Sequence, residues 1–402
     1  MLGKLPFIVF GTLSPIVVYL FLLQDIRTFS GNKKGFYFKN VAFPRKTKQL
    51  SQRGEPSTAD ESEKKIKKWF KNDDADLPLK FDFLISPEDL CPSGETLDYI
   101  MMIYSATSNF RNRQTIRDTF GSRNASVYIS QRIVFLTGSV NTSISNHAEI
   151  TVKMKKEAKQ HGDLVQGDFM DTYNNLTLKG LAGLRWIDAH CKGVKFVIKT
   201  DDDTFVNIFR VVKVVLPQLV DLKYVISGMV HNQKANEIIR LGDKHPKKYQ
   251  AKWAVPGTIF PGMTHFPFHY PNGLFVIMSR DLVQPLVKAS QRVPFFYLED
   301  VYLYGLLTDA IGNVTMVGLN GFFNAAARRQ VKQSFDCFRR LASSCDAIAV
   351  FDGGEKMIRQ LWTLSNIDRT FQFVSVCVVV VIHIFAVALS TIKCVRYIQR
   401  RR

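Results

Sequence analysis

The sequence predicts an α/β domain built on a mostly parallel sheet and held between two membrane-spanning ends. Two patterns carry that expectation. Short β-branched or aromatic runs alternate with longer stretches of helical period through the middle of the chain, and both ends are apolar over about one membrane thickness. At 402 residues, 46% apolar and 22% charged, the chain has material for one large domain or two ordinary ones, which excludes whole-chain disorder.

Taken in chain order, residues 1–4 form a cytosolic tip and residues 5–23 (LPFIVFGTLSPIVVYLFLL) a candidate signal anchor. A cleaved signal peptide is the alternative, although no small-x-small pattern follows Leu23. Residues 371–392 (FQFVSVCVVVVIHIFAVALSTI) make a second run of spanning length. The tail 393–402 after it carries Lys393, Arg396 and Arg400 to Arg402, the basic flank of a stop-transfer span. Two spans put both termini on the cytosolic side and everything between them in a lumen. Arg27, Lys33, Lys34 and Lys39 run against the positive-inside rule at the first span. Four N-x-[ST] sequons, at Asn124, Asn141, Asn175 and Asn313, all fall between the spans, where a secretory lumen allows their glycosylation.

The formal charge of +19 invites a nucleic-acid reading, but +11 of it lies in residues 24–80 and 393–402, outside the central part. Together with the spans and sequons, that distribution argues for no nucleic-acid partner. Residues 24–95, rich in Lys, Ser, Glu, Asp and Pro, read as a luminal stem, with a short helix around Ile66 to Phe70. The folded domain is expected over 96–368. Its strands are YIMMIYS (99–105), IVFLTG (133–138), DLVQGD (163–168), KFVIKT (195–200) and LFVIMS (274–279); residues 149–160 and 176–191 carry apolar residues at helical steps. Of the six cysteines, Cys377 and Cys394 lie in or beside the second span. Cys91, Cys191, Cys337 and Cys345 allow three pairings, among which spacing does not choose.

The sharpest local feature is Lys199-Thr200-Asp201-Asp202-Asp203-Thr204-Phe205, directly after an apolar strand. Consecutive carboxylates repel one another unless solvent or a cation compensates, and the carboxyl end of a strand in an open α/β sheet is where ligands bind. In extended chain Asp201 and Asp203 point the same way and offer hard oxygen ligands to Mg²⁺ or Mn²⁺. An acidic turn capping the helix that begins near Asn207 is the purely structural alternative.

Four motifs in order resemble the inverting β-1,3-glycosyltransferases of family 31, the galactosyl- and N-acetylglucosaminyltransferases of the Golgi. Residues 113–121 (RQTIRDTFG) are similar to R-x-x-I-R-x-T-W-G, with Phe120 in place of Trp. Residues 162–179 (GDLVQGDFMDTYNNLTLK) resemble the stretch before the metal motif, 199–207 (KTDDDTFVN) the metal motif itself, and Glu299-Asp300-Val301-Tyr302 its E-D-V-Y. The resemblance covers about 98–362 and implies a GT-A type, Rossmann-like sheet flanked by helices, a UDP-sugar donor, Mn²⁺ or Mg²⁺ as cofactor, and a glycan acceptor on glycoprotein or glycolipid. An inverting transfer requires one general base, for which Asp300 is the candidate, with Glu299 as the like charge that raises a neighbouring carboxylate. Asp203 and Asp201 are the expected metal ligands. Arg113, Arg117, Asp168, Lys179, Lys199, Asp201 and Asp202 are expected near the donor, the two arginines because guanidinium suits phosphate.

The chain also departs from the family pattern. Tyr270-Pro271-Asn272-Gly273-Leu274-Phe275-Val276 stands where Tyr-Cys-Ser-Gly-x-Gly-Tyr is usual, and Leu306-Leu307 where a cysteine is common, which together imply one disulfide fewer. After His269 there is no histidine until His383, so Val350 or Phe351 takes the place of a His that completes the family's metal site. The sequence thus predicts a Golgi-membrane enzyme with a luminal catalytic domain. Its rival is a catalytically inactive, membrane-tethered glycan-binding or chaperone-like protein that keeps the fold.

Overall fold

The computed structural model describes residues 49–51, 64–70, 81–125, 129–231, 236–240, 251–319, 323–324, 328–351 and 353–366, and six positions between 382 and 391. All belong to one compact unit, Thr47–Arg402. The expected tip, first span and tail lie outside the described residues, as does all of the second span except those six helical positions. No helix among the described residues is long and apolar enough to cross a membrane.

The described strands are β1 (Gln49–Ser51), β2 (Phe83–Ile85), β3 (Leu97–Tyr104), β4 (Gln131–Ser139), β5 (Leu164–Met170), β6 (Val194–Asp201), β7 (Phe205–Val206), β8 (Val225–His231), β9 (Tyr270–Ser279), β10 (Thr315–Gly318), β11 (Phe323–Asn324) and β12 (Ala349–Val350). Nine of them form one sheet in the order β1-β10-β8-β9-β6-β3-β4-β5-β2, and β11-β12-β7 form a second. Pairings β6/β3, β3/β4, β4/β5 and β8/β10 are parallel. The edge strands β1 and β2 and the inserted β9 run against the rest. The sheet is therefore mostly parallel in direction, as expected. The run at 274–279 is the exception: it extends back to Tyr270 and lies antiparallel between β6 and β8. Nothing in an apolar run encodes strand direction. β3 is buried along nearly its whole length, which a central strand covered on both faces requires of LDYIMMIY.

Regular helices α1 (Phe110–Asp118), α2 (His147–His161), α3 (Leu176–His190), α4 (Arg280–Ala289), α5 (Arg328–Leu341) and α6 (Gly354–Ser365) accompany the strands. Stretches 208–219 and 299–311 each pass through a π-helical turn, Val211–Val215 and Tyr302–Leu306. Gly162 ends α2 at φ 62, where a side chain is strained and glycine is not. Disulfides join Cys91 to Cys191 and Cys337 to Cys345.

The stem boundary needs correction. Ile66 and Trp69 are buried, with the Trp69 ring 5.7 Å from those of Phe260 and Phe268, while Lys64, Lys65, Lys67 and Lys68 of the same segment stay exposed. β1 and β2 complete the two edges of the large sheet. Parts of 24–95 are thus built into the folded unit. The short helix expected around Ile66 to Phe70 is present, and two apolar residues three apart suffice to anchor its one turn to the domain.

Candidate active site

The carboxyl ends of β3, β4, β5 and β6 lie at one edge of the sheet, and the three consecutive aspartates at the end of β6 are each accommodated differently. Lys199, buried inside β6, donates from Nζ to Asp201 Oδ1 at 2.9 Å and lies 4.1 Å from the centre of the Tyr104 ring. Burial alone would lower that ammonium's pKa; Asp201 and Glu299 outweigh it and hold the pKa above its ordinary value. Asp202 turns inward. Its Oδ2 accepts from Ser105 Oγ at 2.6 Å and Asn109 Nδ2 at 2.9 Å, and its Oδ1 from Asn112 Nδ2 at 3.4 Å. Burial raises this carboxyl, against those hydrogen bonds. Asp203 remains partly exposed, with Thr204 Oγ1 at 3.4 Å. Behind the turn Phe120, the residue in place of Trp, packs edge-on against Phe205, which in turn meets Phe338.

Arg113 and Arg117 lie neither on an exposed basic face nor with guanidinium groups free for a donor. Arg113 is fully buried. Its Nε and Nη2 donate to Glu157, Nη1 to Ser105 Oγ at 2.9 Å and to Ala106 O at 2.7 Å, and Nη2 also to Thr107 O at 3.2 Å. Arg117 donates to Asp163 through Nε and Nη2 and to Glu157 through Nη1, each at 2.8 Å. The correction has a plain cause: α1 packs its arginines toward α2 and the turn after it, where Glu157 and Asp163 take them. Burial would raise the Glu157 carboxyl, but the two guanidinium groups hold it below its ordinary range. Arg113 nonetheless reaches the metal motif indirectly, since Ser105 accepts from it and donates to Asp202. It is a positioning residue.

Lys179 is likewise buried, donating to Ser105 O and Asp171 Oδ1, both at 2.8 Å, while Asp171 Oδ2 accepts from Gly138 N at 3.0 Å. It fastens the ends of β3, β4 and β5 together and also sits apart from a donor-contact role. Asp168 is exposed at the sheet edge, where its Oδ1 accepts from Asp82 N at 3.1 Å and holds β2. Of the sequons, Asn124 and Asn313 are exposed and Asn141 and Asn175 half-buried.

Glu299 and Asp300 meet the metal motif through Gly273. Lys199 Nζ donates to the Gly273 carbonyl and lies 3.8 Å from Glu299 Oε2, while Gly273 N donates to Asp300 Oδ2 at 3.3 Å. A Cβ on Gly273 would stand 2.7 Å from Glu299 Oε2 and 3.3 Å from Asp300 Cβ, so a side chain there would have to displace the Glu299 carboxylate. Asp300 is partly exposed, and its Oδ1 accepts from Val301 N at 2.9 Å. Glu299 is buried, accepting from Tyr104 OH at 3.1 Å. Burial pushes its carboxyl up to about 7; Lys199 and the Tyr104 hydrogen bond oppose the rise, and Asp300 and Asp201 add to it. The folded chain thus holds this proton more tightly than the unfolded chain. The stability it contributes is complete below about pH 4.5 and is lost as pH climbs through about 7. Glu299→Gln, neutral at every pH, is expected to flatten the fall in thermal midpoint between about pH 5 and 8. Parallel pH profiles for the two proteins would contradict this assignment.

Val350 and Phe351, which the resemblance sets where many family members carry a His, belong to the core. β12 pairs antiparallel with β7, the strand that follows the aspartates, setting Val350 opposite Phe205, and both Val350 and Phe351 are buried. Among the described residues no cluster of three His, Cys, Asp or Glu side chains could hold a metal ion. What remains is two partly exposed carboxylates, Asp201 and Asp203. That donor set suits a hard cation which keeps waters and takes phosphate oxygens as its other ligands. The sequence reading missed Ser105, Asn109, Glu157 and Asp171, whose importance lies in what they hold. Asp171 stands within the quoted 162–179 motif.

In this α/β sheet two acidic motifs are brought together at the carboxyl ends of the strands. The model of the family described as Galactosyltransferase matches residues 111–316, just over half of the chain, and the chain belongs to that family, the one its four motifs resemble. It is 30% identical over 237 residues to beta-1,3-galactosyltransferase 1 of Mus musculus and Homo sapiens, covering 58% of this chain and 67% of theirs. It is also 30% identical over 240 residues to lactosylceramide 1,3-N-acetyl-beta-D-glucosaminyltransferase A of Danio rerio, covering 58% of this chain and 59% of that one. Among solved structures, a glycosyltransferase involved in glycosylation of the PBCV-1 major capsid aligns with TM-score 0.34 at 6% identity, over 67% of this chain and 99% of that chain. A galactosyltransferase with donor and acceptor sugar analogues gives TM-score 0.30 at 11% identity, over 66% and 96%. Likeness at that level supports no inference.

Proposed function

We propose that the chain is an inverting β-1,3-glycosyltransferase of GT-A type that transfers a hexose or N-acetylhexosamine from a UDP-sugar to a glycan on glycoprotein or glycolipid. One observation carries the reading. Two acidic motifs about a hundred residues apart in sequence meet at Gly273, with Lys199 bridging Asp201 and the Glu299 side and with Asp300 partly exposed beside them. In this reading an acceptor hydroxyl attacks the anomeric carbon, its proton passes to an Asp300 oxygen, the new C–O bond forms as the bond to UDP breaks, and UDP leaves with the electron pair. Asp203 and Asp201 would hold Mn²⁺ or Mg²⁺, which supplies charge neutralisation for the diphosphate. Lys199 fixes the end of β6, and Glu299, whose carboxyl burial raises, limits the second negative charge beside the base. A Golgi-membrane setting with a luminal domain is part of the proposal, supported by the two apolar runs and the exposed sequons at Asn124 and Asn313.

Asp203→Ala is expected to abolish Mn²⁺-dependent UDP binding with little loss of fold, since a partly exposed acid at a strand end contributes repulsion rather than packing. Calorimetric titration of UDP with and without Mn²⁺ checks this. Equal UDP affinity with and without metal in the unmodified chain would favour the second reading, a catalytically inactive glycan-binding protein. The observation on that side is the apolar, buried pair Val350 and Phe351 where the third metal ligand is usual.

A further inference from the structure

Against the segment that leads into Asp300 lies an aromatic pair, Tyr173 from the 162–179 motif and Trp253 from outside every motif. Tyr173 opens the short turn Tyr173–Asn175 after β5 and is 40% exposed, and Trp253 closes the turn Ala251–Trp253. The two are coupled, Trp253 Nε1 donating to Tyr173 OH at 2.6 Å. Both turns are fastened to the segment that leads into Glu299 and Asp300. Thr177 Oγ1, just after the first turn, donates to Phe296 O at 2.9 Å, and Tyr297 OH donates to Ala254 O, just after the second, at 2.6 Å. The Tyr173 hydroxyl is pushed up to about 12, first by burial and then by the negative charges of Asp300 and Glu299, against the Trp253 hydrogen bond.

We propose that Tyr173 and Trp253 form the acceptor subsite, on which the apolar C–H face of the acceptor pyranose stacks so that its hydroxyl is set against Asp300. The inference rests on the transferase reading above. A tyrosine at the surface normally keeps its ring against the protein and its hydroxyl in water. Here the hydroxyl is occupied by a neighbouring indole while the residue remains exposed, which leaves ring surface for a partner. A pyranose matches such a surface, because one face of it presents C–H groups and its rim presents hydroxyls. The pair lies on the Asp300 side of the site, whereas the donor's diphosphate belongs with Asp201 and Asp203. Lys252 marks the same spot: it is exposed, and its Nζ lies 4.8 Å from the Tyr173 ring centre and 5.1 Å from that of Trp253. A cation over an aromatic face in solvent is weakly held, so an arriving sugar can displace the ammonium toward its own oxygens.

Tyr173→Ala in the detergent-solubilised full chain tests the proposal, since removing an exposed side chain spares the fold; Trp253→Phe, which removes only the indole hydrogen bond and part of the ring area, is the companion. Methyl β-galactoside and methyl β-N-acetylglucosaminide serve as acceptors. Tyr173→Ala is expected to raise the acceptor KM at least about tenfold, with Mn²⁺-dependent UDP affinity within about twofold of the unmodified chain. An unchanged acceptor KM overturns the subsite, and so does a parallel loss of UDP affinity, which would place the uracil on the rings. Saturation-transfer NMR with the same two glycosides reads contact without chemistry. Sugar C–H signals present in the unmodified chain and lost in Tyr173→Ala support the subsite even if no transfer occurs and the transferase reading fails; signals that persist in the variant overturn it.

Discussion

Replacing Asp300 by asparagine is expected to lower kcat by about two to four orders of magnitude while UDP affinity stays close to that of the unmodified chain. Asparagine keeps one oxygen to accept from Gly273 N, so the geometry around Gly273 survives, while its NH2 gives up the bond that Oδ1 accepts from Val301 N. What it loses is the capacity to accept a proton. Glu299→Gln is expected to do less to the chemistry, because Glu299 is buried against Tyr104 and Lys199 and takes part by limiting local charge. Single-turnover transfer measured for both variants separates the roles. Near-normal transfer by Asp300→Asn, or greater damage from Glu299→Gln, would sink the assignment of the base.

The largest effect on stability is expected from Arg113→Leu, at about 3–5 kcal/mol, the range for breaking a buried ion pair from one side. Arg113 uses all of its N–H groups internally, on Glu157, Ser105, Ala106 and Thr107. Its removal leaves Glu157 with only Arg117 and strips Ser105 of the donor that orients its hydroxyl toward Asp202. A second effect follows at the site: metal-dependent UDP binding should weaken even where the protein stays folded, because Asp202 anchors the turn carrying Asp203. Arg113→Leu combined with Glu157→Leu should recover much of the lost stability, since no charge is then stranded. Thermal or denaturant unfolding of the three proteins measures this; a single-variant cost below about 1 kcal/mol would contradict a buried, fully used guanidinium.

These residues also show what was legible in the sequence. The strands at 99–105, 133–138, 163–168 and 195–200 reappear as β3 to β6 because central parallel strands must be apolar throughout, and such runs stand out. β8 escaped notice because Gly228 interrupts it and β10 because it has only four residues, and the direction of β9 has no local signature. The acidic run 201–203 stood out because three adjacent acids repel one another unless something compensates, and its reading as a metal motif rests on the family resemblance. The roles of Arg113, Arg117 and Lys179 were not: a basic residue on a helix reads the same whether its partner is a phosphate or a glutamate forty residues away. Tyr173 and Trp253 were invisible as a pair because their meeting depends on two loops docking onto 296–298.

The central claim is that the end of the sheet where the Asp201 and Asp300 motifs meet at Gly273 transfers sugar. The most direct test is to incubate the solubilised full chain with a panel of UDP-sugars, Mn²⁺ and glycan acceptors, and to measure both UDP release and the transferred product. The account predicts a β-1,3-linked product from at least one donor, abolished by Asp203→Ala and reduced at least about a hundredfold by Asp300→Asn. Absence of product from every donor, with UDP binding indifferent to Mn²⁺, would contradict it.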